Sequence, residues 1–310
     1  MSRIHEALKK AEQERAIAQT VSTDIAAMPQ EASTPAWTSN LSELAAEANS
    51  PRAVVPSGDY LRFDDLRAAC AHPTWHFDPN VNVFFNPSLS LHGAEQFRTL
   101  RSRLYQLRGN QSLKTLLVTS AVPGEGKTFV SSNLAQAIVR QPDRRALIID
   151  ADLRCARLHL PLGAPTSPGL TEYLRGEVDE MAVIQHGQEG NLCFIAGGSD
   201  VTDPSELLSN GRLRKLLDRL TPVFDWVILD SPPCVPVADA SILADMLDGV
   251  LLVVRAGSTP AAIAERALQE LQGKNVVGVV LNAVDEASMN GSRYYQGYGY
   301  GPAATEDVHK

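Results

Sequence analysis

Lys127 and Thr128 close the run Ala121-Val-Pro-Gly-Glu-Gly-Lys-Thr128, and residues of these types at this spacing can hold a chain of phosphates. Gly124 and Gly126 let the backbone curl until its N–H groups point inward, and a helix starting at the lysine adds positive potential at its first turn. Lys127 would reach the outer phosphates and the Thr128 hydroxyl would ligate Mg²⁺. The nucleotide contacts expected from the loop are therefore Pro123, Gly124, Glu125, Gly126, Lys127, Thr128 and Phe129. Acidic residues follow at two further points. Ile148-Ile-Asp150-Ala-Asp152-Leu-Arg154 places two carboxylates alternately at one strand end, and Val227-Ile-Leu-Asp230 places a third. Carboxylates there suit a metal and a polarised hydroxyl, with Asp230 directed at Mg²⁺ and, of Asp150 and Asp152, one polarising the attacking group while the other helps to hold the metal. A local reading stays open for Asp152, which can cap a turn and pair with Arg154.

Such residues act together only if strands deliver them to one edge. Five short, nearly continuous apolar runs provide this: Thr115 to Thr119, Ala146 to Ile149, Trp226 to Leu229, Val250 to Val254 and Val276 to Leu281. Runs of this kind separated by helical sequence are strands buried on both faces of a parallel sheet. Asn191 to Ile195 can add another strand. Ser131 to Arg140, Glu206 to Leu220 and Pro260 to Gln272 supply crossover helices. The expected fold class is α/β, a doubly wound and mostly parallel sheet carrying a phosphate-binding loop.

The domain plan has four parts. Residues 1–19 carry Ile4, Ala7, Leu8 and Ala11 at helical spacing and read as a short amphipathic helix. Residues 20–91 are rich in Ala, Ser, Thr and Pro without a sustained period and read as a flexible linker, with room for one helix near Leu61 to Ala69. Residues 92–286 form the catalytic domain. Residues 287–310 form a flexible tail in which Tyr294, Tyr295, Tyr298 and Tyr300 alternate with glycine. From Gly93 a helix presents Phe97, Leu100, Leu104 and Leu107 on one face and Glu95, Arg98 and Arg101 on another.

Composition narrows the function classes. A formal charge of −8 over 310 residues leaves no global basic field for nucleic acid. Cys70, Cys155, Cys193 and Cys234 lack metal-ligand or redox-pair spacing, which suits a reducing compartment. The longest apolar run is far shorter than the roughly 20 residues of a membrane helix, and the charged N-terminus is unlike a secretory signal. A cytoplasmic location is expected.

Taken in order, GAEQFRTLR, SAVPGEGKT, ALIIDADLR, SPGLTEYL, DPSELL, FDWVILDSPP and GVVLNAV, followed by the tyrosine cluster, resemble the bacterial tyrosine kinases of exopolysaccharide and capsule biosynthesis over about Gly93 to Tyr300. The resemblance implies the phosphate-loop fold of the branch that also holds partitioning and cell-division ATPases. Val122 and Pro123 stand where those ATPases carry a signature lysine and a glycine, which favours the kinases. It implies an ATP and Mg²⁺ site at Lys127, Thr128, Asp150, Asp152 and Asp230, and ring assembly through Glu95, Arg98 and Arg101. It further implies transfer of phosphate to tail tyrosines of neighbouring subunits, and in that reading Asp150 is taken as the base and Asp152 as the metal ligand. As partners it implies further copies of the chain, a separate transmembrane chain-length regulator acting as activator, a cognate tyrosine phosphatase and recruitment to the inner face of the plasma membrane. MSRIHEALKKAEQER is similar to the start of the subgroup encoded beside exosortase-linked loci. The alternatives are a switch ATPase and a nucleotide-gated scaffold of an export complex.

Overall fold

A computed structural model describes residues 61–86, 90–188 and 190–284. The elements in chain order are α1 (Phe63–Ala69), α2 (Ser90–Asn110), β1 (Thr115–Ser120), α3 (Lys127–Val139), β2 (Arg145–Asp150), α4 (His159–Leu162), α5 (Leu170–Arg175), α6 (Glu180–Val183), β3 (Ile184–His186), β4 (Asn191–Ile195), α7 (Pro204–Ser209), α8 (Arg212–Leu220), β5 (Trp226–Asp230), α9 (Asp239–Ala244), β6 (Gly249–Arg255), α10 (Ala261–Glu270) and β7 (Val276–Asn282).

The seven strands run β3-β4-β2-β5-β1-β6-β7 across one sheet. Every pairing is parallel except that of the short edge strand β3 with β4. Alternate residues of each central strand feed two cores. Leu117, Leu147, Ile149, Val227 and Leu229 face one side, with α1, α5, α8, α9 and α10. Leu116, Val118, Ile148, Trp226 and Ile228 face the other, with α2 and α3. This period of two on strands buried from both sides makes the apolar runs look continuous in sequence. The sheet places β2, β5 and β1 side by side, so their carboxyl ends and the loop after β1 share one edge.

The structure corrects two expectations. The run from Glu206 to Leu220 is two helices, α7 and α8, because Gly211 adopts a left-handed φ of 80° between them. The helix expected near Leu61 to Ala69 is present as α1, but the linker expectation fails over residues 61–86, which pack on the domain. Phe63, Leu66 and Cys70 of α1 and its cap enter the first core, while Trp75 and Val83 enter the second. Asn82 is fully buried, donates to the Pro161 carbonyl at 2.6 Å and accepts from the Gln136 amide on α3. Asn133 of α3 accepts from Val83 N–H at 2.9 Å and donates to the Val81 carbonyl at 2.9 Å. The strap lacks a sequence period because single residues anchor it to two different faces. The helix expected over residues 1–19 and the tyrosine tail lie outside the described residues.

All four cysteines are free thiols. Among the described residues no helix is long and apolar enough to cross a membrane.

Candidate functional site

β1 ends at Ser120, and the chain turns through residues 121–126 into α3. Gly124 and Gly126 have φ of 84° and 94°, a left-handed conformation that side chains oppose. At Gly126 there is also no room, since an added Cβ would lie 2.0 Å from Asn282 Nδ2. The loop is braced from below. The Glu125 carboxylate accepts from Val122 N–H at 2.8 Å and from the Thr259 hydroxyl. Arg255 Nη1 donates to the Gly124 carbonyl at 3.1 Å, and Asn282 Nδ2 donates to the Glu125 carbonyl at 2.8 Å. Beside the loop lies a cavity of about 630 Å³ lined by Pro123, Gly124, Arg255, Ser258, Ile263 and Ala283 among others.

Four of the residues named from sequence meet at the mouth of α3. Lys127 Nζ lies 3.0 Å from Asp152 Oδ2. The Thr128 hydroxyl donates to Asp230 Oδ2 at 2.6 Å, and the Ser131 hydroxyl donates to Asp230 Oδ1 at 3.0 Å. Asp150 and Asp230 are register partners on β2 and β5. Asp150, Asp152 and Asp230 are all buried, at 0%, 3% and 1% exposure. Asp150 accepts Leu158 N–H at 2.8 Å and Asp152 N–H at 3.3 Å.

Burial and neighbouring negative charge oppose the ionisation of Asp150 and Asp230. Burial, then the charge of Asp230, holds the Asp150 pKa well above the ordinary carboxylate range. Burial pushes Asp230 up to about 6, against the Lys127 charge and the Thr128 and Ser131 hydrogen bonds that favour its ionised form. Burial by itself would lower the Lys127 pKa, but the charges of Asp230, Asp152 and Asp150 outweigh it and raise the pKa. A site whose negative charge exceeds its positive charge, beside inward-turned glycines, is suited to accept a cation together with a phosphate chain.

The local reading of Asp152 holds in half. Its Oδ1 accepts Cys155 N–H at 3.1 Å, so it does cap a turn. Arg154 turns instead to Asp239, at 2.7 and 3.0 Å, and Ser205 joins that pair by donating to Asp239 at 2.5 Å. The pairing ties the loop after β2 to the chain entering α9. The Glu125 carboxylate is spent inside the loop, which leaves its backbone to face a ligand. Glu95, Arg98 and Arg101 are not part of this cluster. Glu95 and Arg98 pair on the surface of α2, while Arg101 Nη1 turns inward to donate to the Ala137 carbonyl at 2.5 Å.

Ser131, Thr259, Asn282 and Asp239 were missed in sequence. Ser131 was findable, lying one turn after Thr128 on the same face of α3. Thr259 and Asn282 reach the loop from just after β6 and the end of β7, and Asp239 meets Arg154 from the start of α9; all are distant in the chain and carry no local signal.

No family model matches the chain. The tyrosine-protein kinase etk of Escherichia coli K12 is 38% identical over 201 residues, covering 64% of this chain and 27% of that protein. The chain thus spans about a quarter of the length of that relative. The tyrosine-protein kinase YwqD of Bacillus subtilis 168 is 34% identical over 205 residues, covering 65% of this chain and 86% of that protein. Among solved structures, the kinase domain of the Escherichia coli tyrosine kinase ETK aligns with a TM-score of 0.62 at 36% identity, over 67% of this chain and 82% of that one.

Proposed function

The chain belongs to the bacterial tyrosine-protein kinases, and from that premise we propose that it transfers the γ-phosphate of ATP to tyrosines in the tail of a neighbouring copy. The observation carrying this reading is the convergence of Lys127, Thr128, Asp152 and Asp230, joined by contacts of 3.0 and 2.6 Å at the mouth of α3. The loop amides from Pro123 to Phe129 and Lys127 would hold the phosphates, with the cavity beside Pro123 and Ile263 left for the rest of the nucleotide.

The donor set fits Mg²⁺. A hydroxyl and a carboxylate already in contact, with Asp152 close to the lysine, offer the few oxygen ligands this ion takes beside phosphate and water. When bound, Mg²⁺ supplies charge neutralisation on the phosphates. Asp150 is the base: its raised pKa gives it the proton affinity to accept the tyrosine hydroxyl proton as that oxygen bonds to the γ-phosphorus. The bond from phosphorus to the bridging oxygen breaks and ADP leaves. Lys127 neutralises charge on the transferring group from within a water-poor cluster.

The acceptors in this reading are Tyr294, Tyr295, Tyr298 and Tyr300, and Glu95 and Arg98 supply contacts between copies. Family membership also supports a role in exopolysaccharide or capsule export, with a transmembrane chain-length regulator as activator, a cognate phosphatase and recruitment to the inner membrane face. Intact mass and phosphotyrosine detection after incubation with MgATP test the reading. Lys127→Met abolishes labelling. The quadruple Tyr→Phe variant abolishes labelling and retains nucleotide binding. Phosphate persisting on Ser or Thr in that quadruple variant would sink the tail-acceptor claim, and steady phosphate release without protein label would identify a switch ATPase.

A further inference from the structure

The surface motif on α2 divides into two halves that face different ways. Glu95 and Arg98 form an exposed pair, with side chains 61% and 49% accessible. Arg101, one turn later, lies against the P-loop helix. Its Nη1 meets the Ala137 carbonyl at 2.5 Å, and its Nε is buried without a hydrogen-bond partner.

Ala137 sits in the last turn of α3, where carbonyls lose their intrahelical donors. Gln136 is satisfied by Arg140 N–H at 3.2 Å and Ile138 by Gln141 N–H at 3.0 Å. Gln141, which would have served Ala137 had the helix continued, is thereby used elsewhere. Arg101 brings the missing donor, and it brings a positive charge to the negative end of the helix dipole. Toward the other end of α3, Phe97 of α2 packs edge-on against Phe129 with ring centroids 5.6 Å apart. Phe129 directly follows the phosphate-binding Lys127 and Thr128. One face of α2 therefore holds α3 at both its phosphate-binding start and its carboxyl end.

We propose that Arg101 is a positioning residue for the phosphate-binding loop, holding the end of α3 within its own chain, while Glu95 and Arg98 alone make the outward contacts. The outward half rests on the assembly reading above. The inward half does not. A P-loop helix fixed in advance binds phosphate without a cost of ordering, so loosening it lowers nucleotide affinity.

The test compares Arg101→Met, which keeps the packed stem and removes the donor, Arg101→Lys, which restores a donor, and a Glu95→Ala/Arg98→Ala double variant, all in the full chain. Affinity is read with a fluorescent ATP analogue and Mg²⁺, oligomeric mass by light scattering, and protection of residues 127–139 by hydrogen exchange. Arg101→Met weakens nucleotide binding by about three- to tenfold, consistent with loss of a charged helix-end hydrogen bond, and speeds exchange in the last turn of α3 without changing mass. Arg101→Lys recovers most of the affinity. The double variant keeps wild-type affinity and loses assembly. Wild-type affinity in Arg101→Met, or dispersal of its assemblies with affinity intact, overturns the proposal. Should Arg101→Met not fold, Phe97→Leu loosens the same contact near the loop, and unchanged affinity there overturns it equally. A wild-type chain that stays monomeric with nucleotide removes the assembly reading and leaves the affinity comparison to decide the role of Arg101.

Discussion

The two edges of the sheet treat their carboxylates in opposite ways. At the amino edge, Asp248 accepts Lys114 N–H and Thr115 N–H, both at 2.8 Å, and Asp225 accepts Arg145 N–H at 3.0 Å while pairing with Arg144 at 2.9 Å. Donors surround each acid there, and the acids join strand starts to neighbouring loops. At the carboxyl edge, Asp150, Asp152 and Asp230 are buried together around Lys127. The first arrangement serves the fold. The second costs stability in the free chain and leaves negative charge that a cation and a phosphate chain can complete. A seven-stranded sheet with two filled cores can carry that cost at one edge.

Substitutions at the two edges should therefore separate activity from stability. Lys127→Met has the largest effect: phosphotransfer falls by roughly a thousandfold or more, because the group neutralising both the acids and the phosphates is gone. Phosphotyrosine formation at saturating MgATP checks it, and residual activity above that level would break the contrast.

Asp230→Asn comes next. Its folded pKa of about 6 lies above the ordinary 3.8, so the folded state binds more protons than the unfolded state between those values. Stability of the nucleotide-free chain accordingly falls as pH rises from about 4 through about 6, and Asp150 adds in the same direction. Asp230→Asn flattens this slope and stabilises the free chain at neutral pH by about 1–3 kcal/mol, while Mg²⁺-dependent nucleotide binding is lost. Denaturant melts across pH 4 to 8 decide this, and an unchanged slope removes Asp230 as its source.

At the opposite edge the pattern reverses. Asp248→Ala leaves two strand-start amides without their acceptor and destabilises the chain by about 2 kcal/mol, with phosphotransfer per folded molecule unchanged. A specific loss of activity there would show that the edges are coupled. Arg144→Ala removes a pair whose arginine is 46% accessible, and it costs less than about 1 kcal/mol, fading with salt. Urea midpoints at low and high salt measure it.

Much of this division is visible in the sequence. Five short apolar runs located five strands and Asn191 to Ile195 a sixth, and the acids ending two of them, with the glycine loop after a third, located the site. The short edge strand β3 escaped because three residues carry no period. The strap over residues 61–86 escaped because its anchors, Phe63, Trp75 and Asn82, satisfy three separate parts of the domain. For Glu125 and Arg101 the sequence located the element but not the side-chain contact within the chain, since a spacing says which face a side chain shares and not what lies opposite that face.

By itself, then, the sequence determined the phosphate loop, the acidic strand ends and the parallel sheet. These are local matters: glycine permits left-handed turns, and buried strands must be apolar on both faces. Tertiary structure alone decided that Lys127 turns to Asp152, that Arg154 turns to Asp239, that Thr259 and Asn282 brace the loop, and that Arg101 serves the end of α3. Each is a contact between residues distant in the chain, fixed by strand order and helix packing, and nothing in the local sequence chooses between the donors and acceptors that such packing brings together.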